Sequence, residues 1–164
     1  MKDSKVDRKA EADPVEFARV IALNALASRP KSRHELETQL ARRGVANEIS
    51  ALVLDRLALV GLINDREFAE AWSRSRVRAK GLSRRVLARE LRAKGIEQEI
   101  AEAVLAEITP EDEYSAALSI ATKKARSTTE LPREVQVRRI FDLLARKGFS
   151  SSISTRIIKE ILDP

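Results

Sequence analysis

A chain of 164 residues with 43% hydrophobic but only 4% aromatic side chains allows one domain or a short array of small modules, with a core of Leu, Ile, Val and Ala. The net charge of +6 favours an anionic partner, and the absence of cysteine excludes disulfides, thiol catalysis and Cys-based zinc sites. No apolar run approaches the ~18 residues that cross a bilayer and no signal-peptide core follows the charged start, so the reading is a cytoplasmic protein with no membrane partner.

Residues 1–13 carry four basic and four acidic side chains and one sizeable hydrophobe, Val6, which predicts a flexible N-terminal tail. The elements then follow in order as helices, over 14–28, 32–43 and 47–60; 64–79, 83–94 and 97–108; and 112–126, 132–147 and 151–162. Start signals mark the cuts: Asp13-Pro14 and Thr109-Pro110, a capping-box-like Asn64-x-x-Glu67, and serines at 32 and 83. Gly44, Gly61, Gly81, Gly95 and Gly148 are the stops. On the helix from 64, Phe68, Trp72, Ser75 and Ala79 form the expected inward seam.

The order is a repeat. "LETQLARRG" (36–44), "LARELRAKG" (87–95) and "IFDLLARKG" (140–148) share an apolar-x-x-x-Leu seam, a basic residue and a closing glycine. Counted from each glycine, position +5 is Ile49, Ile100 and Ile153, and position +9 is Val53, Val104 and Ile157. Phe17 and Phe68 lie 27 residues before their glycines, and Tyr114 lies 34 before Gly148, which implies about seven extra residues in the third copy, assigned to 125–132. The chain is therefore expected to be all-α. Three tandem three-helix repeats, 14–61, 62–109 and 110–164, would form an elongated rod whose curvature is left open.

Charge is not shared equally. Residues 64–95 hold ten basic and four acidic side chains, an excess equal to that of the whole chain, and residues 96–113 hold seven acids and no Lys or Arg. In the middle helix of the second repeat, Arg85, Arg89 and Arg92 fall on one stripe, away from the seam of Leu87 and Leu91. The corresponding positions are His34, Thr38 and Ala41 in the first copy and Arg138, Asp142 and Ala145 in the third, so the fold alone does not demand the three arginines. Arg74/Arg78 and Arg76/Lys80 flank the seam of the preceding helix on opposite sides; some of these arms are expected to lie along the protein and others to extend the basic face, so that Arg74, Arg76, Arg78, Lys80 and Arg84 are supporting candidates and Arg42/Arg43 and Lys123/Lys124/Arg126 weaker ones. Neutralisation of the stripe by Glu97, Glu99 and Glu102 is the competing account. No phosphate-cradling loop, ligand-spaced His-carboxylate cluster or paired nucleophile occurs, so neither catalysis nor a cofactor or metal is expected. The lone His34 reads as a surface residue.

The pattern Asn64-Asp65-x-x-Phe68-Ala69-x-x-Trp72-x-x-x-Arg76, then Lys80-Gly81 and Arg85-x-Leu87-x-x-Glu90-Leu91-x-x-Lys94-Gly95-Ile96, resembles the RecX family of recombination regulators, as does "SRHELETQLARRG" (32–44). The likeness spans about 15–162. Family members often have Gly-Pro where Ser83-Arg84 stands, and many have a basic residue at Val86. The resemblance implies a non-catalytic protein that binds RecA recombinase along its filament on single-stranded DNA. It would restrain ATP hydrolysis, strand exchange and co-protease activity, and so act in DNA repair, homologous recombination and SOS control. Arg85, Arg89 and Arg92 would make the main contacts, and a monomer is expected. The alternative is a direct DNA binder of helix-turn-helix type.

Overall fold

The computed structural model describes residues 13–163, and among these it contains nine α-helices and no strand. They are α1 (Pro14–Ser28), α2 (Arg33–Arg42), α3 (Asn47–Leu59), α4 (Asp65–Lys80), α5 (Arg84–Ala93), α6 (Gln98–Ala106), α7 (Pro110–Arg126), α8 (Arg133–Lys147) and α9 (Ser151–Leu162). The tail expected over 1–13 lies, apart from Asp13, outside the described residues. Asp13 caps α1 by accepting from the N–H groups of Val15 and Glu16, both at 3.1 Å. Ser32 and Thr109 start α2 and α7 through reciprocal capping boxes with Glu35 and Asp112. That cap, with Pro110 in the first turn, starts α7 two residues before the expected 112.

The chain groups into two compact units, one reaching to Ala69 and including Ala93–Glu97, the other formed by Glu70–Arg92 and the residues from Gln98 onward. In the first, α1 contributes a seam of small residues, Ala18, Ala22 and Ala25, packed in one core with Leu36, Leu40, Val53, Leu54 and Leu57. In the second, Leu87, Leu91, Ile140 and Leu144 are completely buried, as the repeated seam requires. Ala117 and Ala121 of α7 share a core with Ile140, Leu144 and Ile157.

Two expectations are corrected. Ser75 and Ala79 are exposed, and the buried positions of α4 are Phe68, Ala69 and Ser73 with Trp72, Arg76 and Val77 half-buried. Ala69 and Ser73 stand 51 residues after Ala18 and Ala22, so the close-approach face of small residues sets the register. The large indole is kept at the edge, where its N–H finds an acceptor. The third copy obeys the same rule. Ala117 takes the place of Ala18 and Ala69, which lie 26 residues before their glycines, whereas Ala117 lies 31 before Gly148. The insertion is therefore five residues: α8 starts 15 residues before its glycine where α2 and α5 start 11 before theirs, leaving one residue for the connection. Tyr114 is not the counterpart of Phe68. It is half-buried and its hydroxyl donates to Glu160.

Successive modules meet at a repeated joint. Ser32 at the start of α2 is fully buried and its hydroxyl donates to the Lys94 carbonyl at 2.6 Å, while Asp65 accepts from Arg33 N–H at 2.9 Å. Fifty-one residues later, Ser83 N–H donates to the Lys147 carbonyl at 3.0 Å and Glu113 accepts from Arg84 N–H at 3.0 Å. The loop that docks each time ends in glycine with positive φ, +71° at Gly95 and +94° at Gly148. A Cβ at Gly95 would overlap His34 Cβ, and one at Gly148 would overlap Ser83 Oγ and Val86. Gly44, which opens no such joint, has φ +76° and nothing within 4 Å. At the first joint Glu35 also binds Lys94 Nζ at 2.6 Å and Arg29 at 3.0 Å, and accepts from Ser32 N–H at 3.1 Å. Burial pushes its carboxyl up, but the three hydrogen bonds outweigh this and hold its pKa at about 2, against an ordinary 4.5.

Substituting the glycines by alanine separates these roles. Gly44→Ala should cost about 1–2 kcal/mol for the left-handed backbone alone. Gly95→Ala and Gly148→Ala should cost a further ~1–3 kcal/mol, because a neighbour must move. Denaturant titration measures both. For Glu35, whose folded pKa is depressed, the stabilisation is complete above pH 4.5 and is lost as pH falls through about 2. The stability gap between wild type and Glu35→Gln should therefore narrow by about 2–3 kcal/mol over that interval, read from unfolding curves at successive pH values.

Candidate functional site

The basic residues of the middle module divide into those the fold uses and those it leaves at the surface. Arg76 is half-buried: its guanidinium lies 4.2 Å from the centroid of the Trp72 ring, and its Nε is 3.1 Å from Glu90 Oε2. The same carboxylate oxygen accepts from Trp72 Nε1 at 2.8 Å. Ala25 stands 51 residues earlier at the third position of the small-residue seam, so Arg76 enlarges that position and the Trp72–Glu90 pair accommodates it. Arg84 is held by Glu113, which takes both its N–H and, at 3.2 Å, its Nε. These two arginines, expected on the binding face, are tied into the fold by acids 14 and 29 residues away in sequence.

Arg85, Arg89 and Arg92 are exposed, and among the described residues they join no ion pair. Glu97, Glu99 and Glu102 are exposed as well and form no ion pair with them. Two turns of helix thus carry three guanidinium groups with their donors unused, on the side opposite the fully buried Leu87 and Leu91. Arg85 and Arg84 also line a cleft of about 610 Å³ whose other side is formed by Glu102, Leu105 and Ile153.

The remaining candidates face elsewhere. Arg74 and Arg78 border a cavity of about 520 Å³ with Val77, Val104 and Ile108, at which the buried Ser73 hydroxyl has no hydrogen-bond partner. Lys80 is exposed and, with Arg78, lines a separate groove shared with Lys123, Lys124 and Lys147. The eight candidate residues therefore fall into three sets. Lys147 was not singled out by its sequence; the available signal was its equivalence to Lys94, with Val86 at the position of the partner acid Glu35. Among the described residues no group of three or more His, Asp or Glu could hold a metal ion, and no helix is long and apolar enough to cross a membrane. His34 is 56% exposed.

The three modules match the models of the first, second and third three-helix domains of RecX over residues 18–57, 64–105 and 111–158. The chain is 40% identical over 151 residues to Regulatory protein RecX of Streptomyces coelicolor, covering 92% of this chain and 80% of the relative. It is 41% identical over 148 residues to Regulatory protein RecX of Mycobacterium leprae, covering 90% and 86%. The crystal structure of RecX from Lactobacillus salivarius superposes with a TM-score of 0.81 at 27% identity, covering 93% of this chain and 99% of that one.

The division between structural and surface arginines has a direct consequence for stability. Arg76→Ala should destabilise the protein by about 1–2 kcal/mol through the lost ring contact and the stranded Glu90. Arg85→Ala, Arg89→Ala and Arg92→Ala should each stay within about 0.5 kcal/mol of wild type. Thermal and urea unfolding of the four variants distinguish the two classes.

Proposed function

Since the chain belongs to the RecX family of regulatory proteins, we propose that it binds RecA recombinase on single-stranded DNA and lowers the filament's ATP hydrolysis, strand exchange and co-protease activity, without catalysis of its own. It would do so in the cytoplasm, as a monomer. The observation that carries this reading is the uncompensated stripe Arg85–Arg89–Arg92, present in one of three otherwise equivalent helices. Guanidinium forks suit carboxylates or phosphates held at a fixed repeat, and a recombinase filament offers both. The stripe lies on a helix held by buried leucines and the Glu113 cap, so its side chains are presented from a rigid element.

In this reading affinity comes from desolvated charge-assisted bonds, and the filament is restrained because the bound protein adds contacts to one filament state more than to another. The test is ATP hydrolysis by the recombinase on single-stranded DNA, titrated with wild type and with the triple variant Arg85→Ala/Arg89→Ala/Arg92→Ala. Wild type should inhibit, and the triple variant should require at least about tenfold more protein for the same inhibition, equivalent to ~1.4 kcal/mol. Equal inhibition by both proteins would remove the stripe from the mechanism. Tight, base-selective binding to naked duplex would favour the helix-turn-helix reading instead.

A further inference from the structure

The groove beside the stripe's module carries a second, distinct charge pattern. It has a volume of about 530 Å³ and is lined by Arg78 and Lys80 from the last turn of α4, Lys123 and Lys124 from the last turn of α7, and Lys147 from the last turn of α8. No carboxylate and no aromatic ring lines it. Gly81, with φ +60°, makes the close approach possible, since a Cβ there would overlap the Ile120 side chain on α7.

Cations at helix C-termini are ordinary, because each end carries a partial negative charge. Three such ends offset at most about 1.5 of the five positive charges gathered here. Among the described residues none of the five joins an ion pair.

The repeat supplies the comparison that makes this informative. Lys94, at the joint before, is neutralised by Glu35; Lys147 is its counterpart, and the position equivalent to Glu35 is Val86. Arg76 is neutralised by Glu90; Lys124 is its counterpart in the small-residue register, and the position equivalent to Glu90 is Leu143, a residue of the groove wall. Twice, the position that supplies a carboxylate to one cation holds an apolar residue where the repeat would supply it to a groove cation, Val86 for Lys147 and Leu143 for Lys124. The fold tolerates either version, so the uncompensated charge is a property of this groove and not of the architecture.

The geometry points to a phosphate-binding groove that takes the phosphodiester backbone of a nucleic acid strand, independently of sequence. Four of the five cations are lysines, compact and strongly hydrated charges that meet phosphate oxygens without a fixed fork geometry, in contrast to the all-arginine stripe on α5. With no ring to stack on, bases make no contribution and single strand and duplex are read alike through their phosphates. A single small anion would leave most of the charge unmatched. This assignment does not rest on the stripe or on a recombinase.

The test uses the full chain and fluorescein-labelled oligo-dT or a labelled duplex, with no recombinase present, read by anisotropy over a range of salt. Wild type should bind both, with affinity falling as salt rises. Lys123→Gln/Lys124→Gln should weaken binding on the order of tenfold at low salt and flatten the slope of log affinity against log salt by about 1.4 on the single strand. Arg139→Gln/Lys159→Gln, which removes the same charge from exposed positions that do not line the groove, should change both far less. A second pair, Lys80→Gln/Lys147→Gln, should behave like the first and keeps the test open if the first pair shifts the melting temperature. Unchanged affinity and slope in folded groove variants would overturn the proposal. So would weaker binding to DNA-free recombinase with naked-DNA affinity intact, which would make the groove a seat for acidic protein surface.

Discussion

The rest of the structure depends on how one module's loop seats on the buried N-terminus of the previous module's middle helix. A helix start has N–H groups with no partner inside the helix, and burying them is costly unless something accepts their hydrogen bonds. Here the serine hydroxyl and a carboxylate from the incoming helix accept from them, Ser32 with Asp65 and Ser83 with Glu113, while the incoming loop's carbonyl takes the Ser32 hydroxyl at one joint and the Ser83 N–H at the other. Glycine is required in the loop because backbone has to lie where a side chain would. Three-helix modules of this size bury too little to be secure alone, so a joint that satisfies polar groups as well as covering apolar ones carries much of the fold's specificity.

Once the joints are made, the middle helices keep one face in the core and one in solvent, and Arg85, Arg89 and Arg92 of α5 are left without an ion pair among the described residues. The basic surface is thus what the internal ion pairs leave over. Glu113 takes Arg84, Glu90 takes Arg76 and Glu35 takes Lys94, and the cations left over are concentrated on α5 and around the ends of α4, α7 and α8.

Much of this was legible beforehand. The Leu36/Leu40, Leu87/Leu91 and Ile140/Leu144 pairs marked the core because burial follows helical period, and Asp13, Ser32 and Thr109 marked helix starts because capping is local chemistry. What failed needed distance. The seam of α4 was misplaced because aromatic residues were ranked above Ala69 and Ser73, although close helix packing is set by the small side chains. The third-copy insertion was miscounted for the same reason, with Tyr114 preferred over Ala117. The ion pairs of Arg76 and Arg84 were not legible, because nothing in a helical wheel reveals an acid on another helix. The glycines were read as helix stops, which they are, but their second task appears only when the next module is in place.

The third module departs from the pattern at the site where a further joint would form. Gln136 occupies the position of Ser32 and Ser83, and α8 begins one turn earlier, so that Gln136 N–H already donates to the Pro132 carbonyl at 3.0 Å while the side-chain amide is bound to Leu131. The donors that would receive another glycine loop are spent within α8 itself. A glycine loop offered to this site would find its hydrogen bonds already made, so the extra turn of α8 stands in for the contact that Ser32 and Ser83 each receive from outside their own helix.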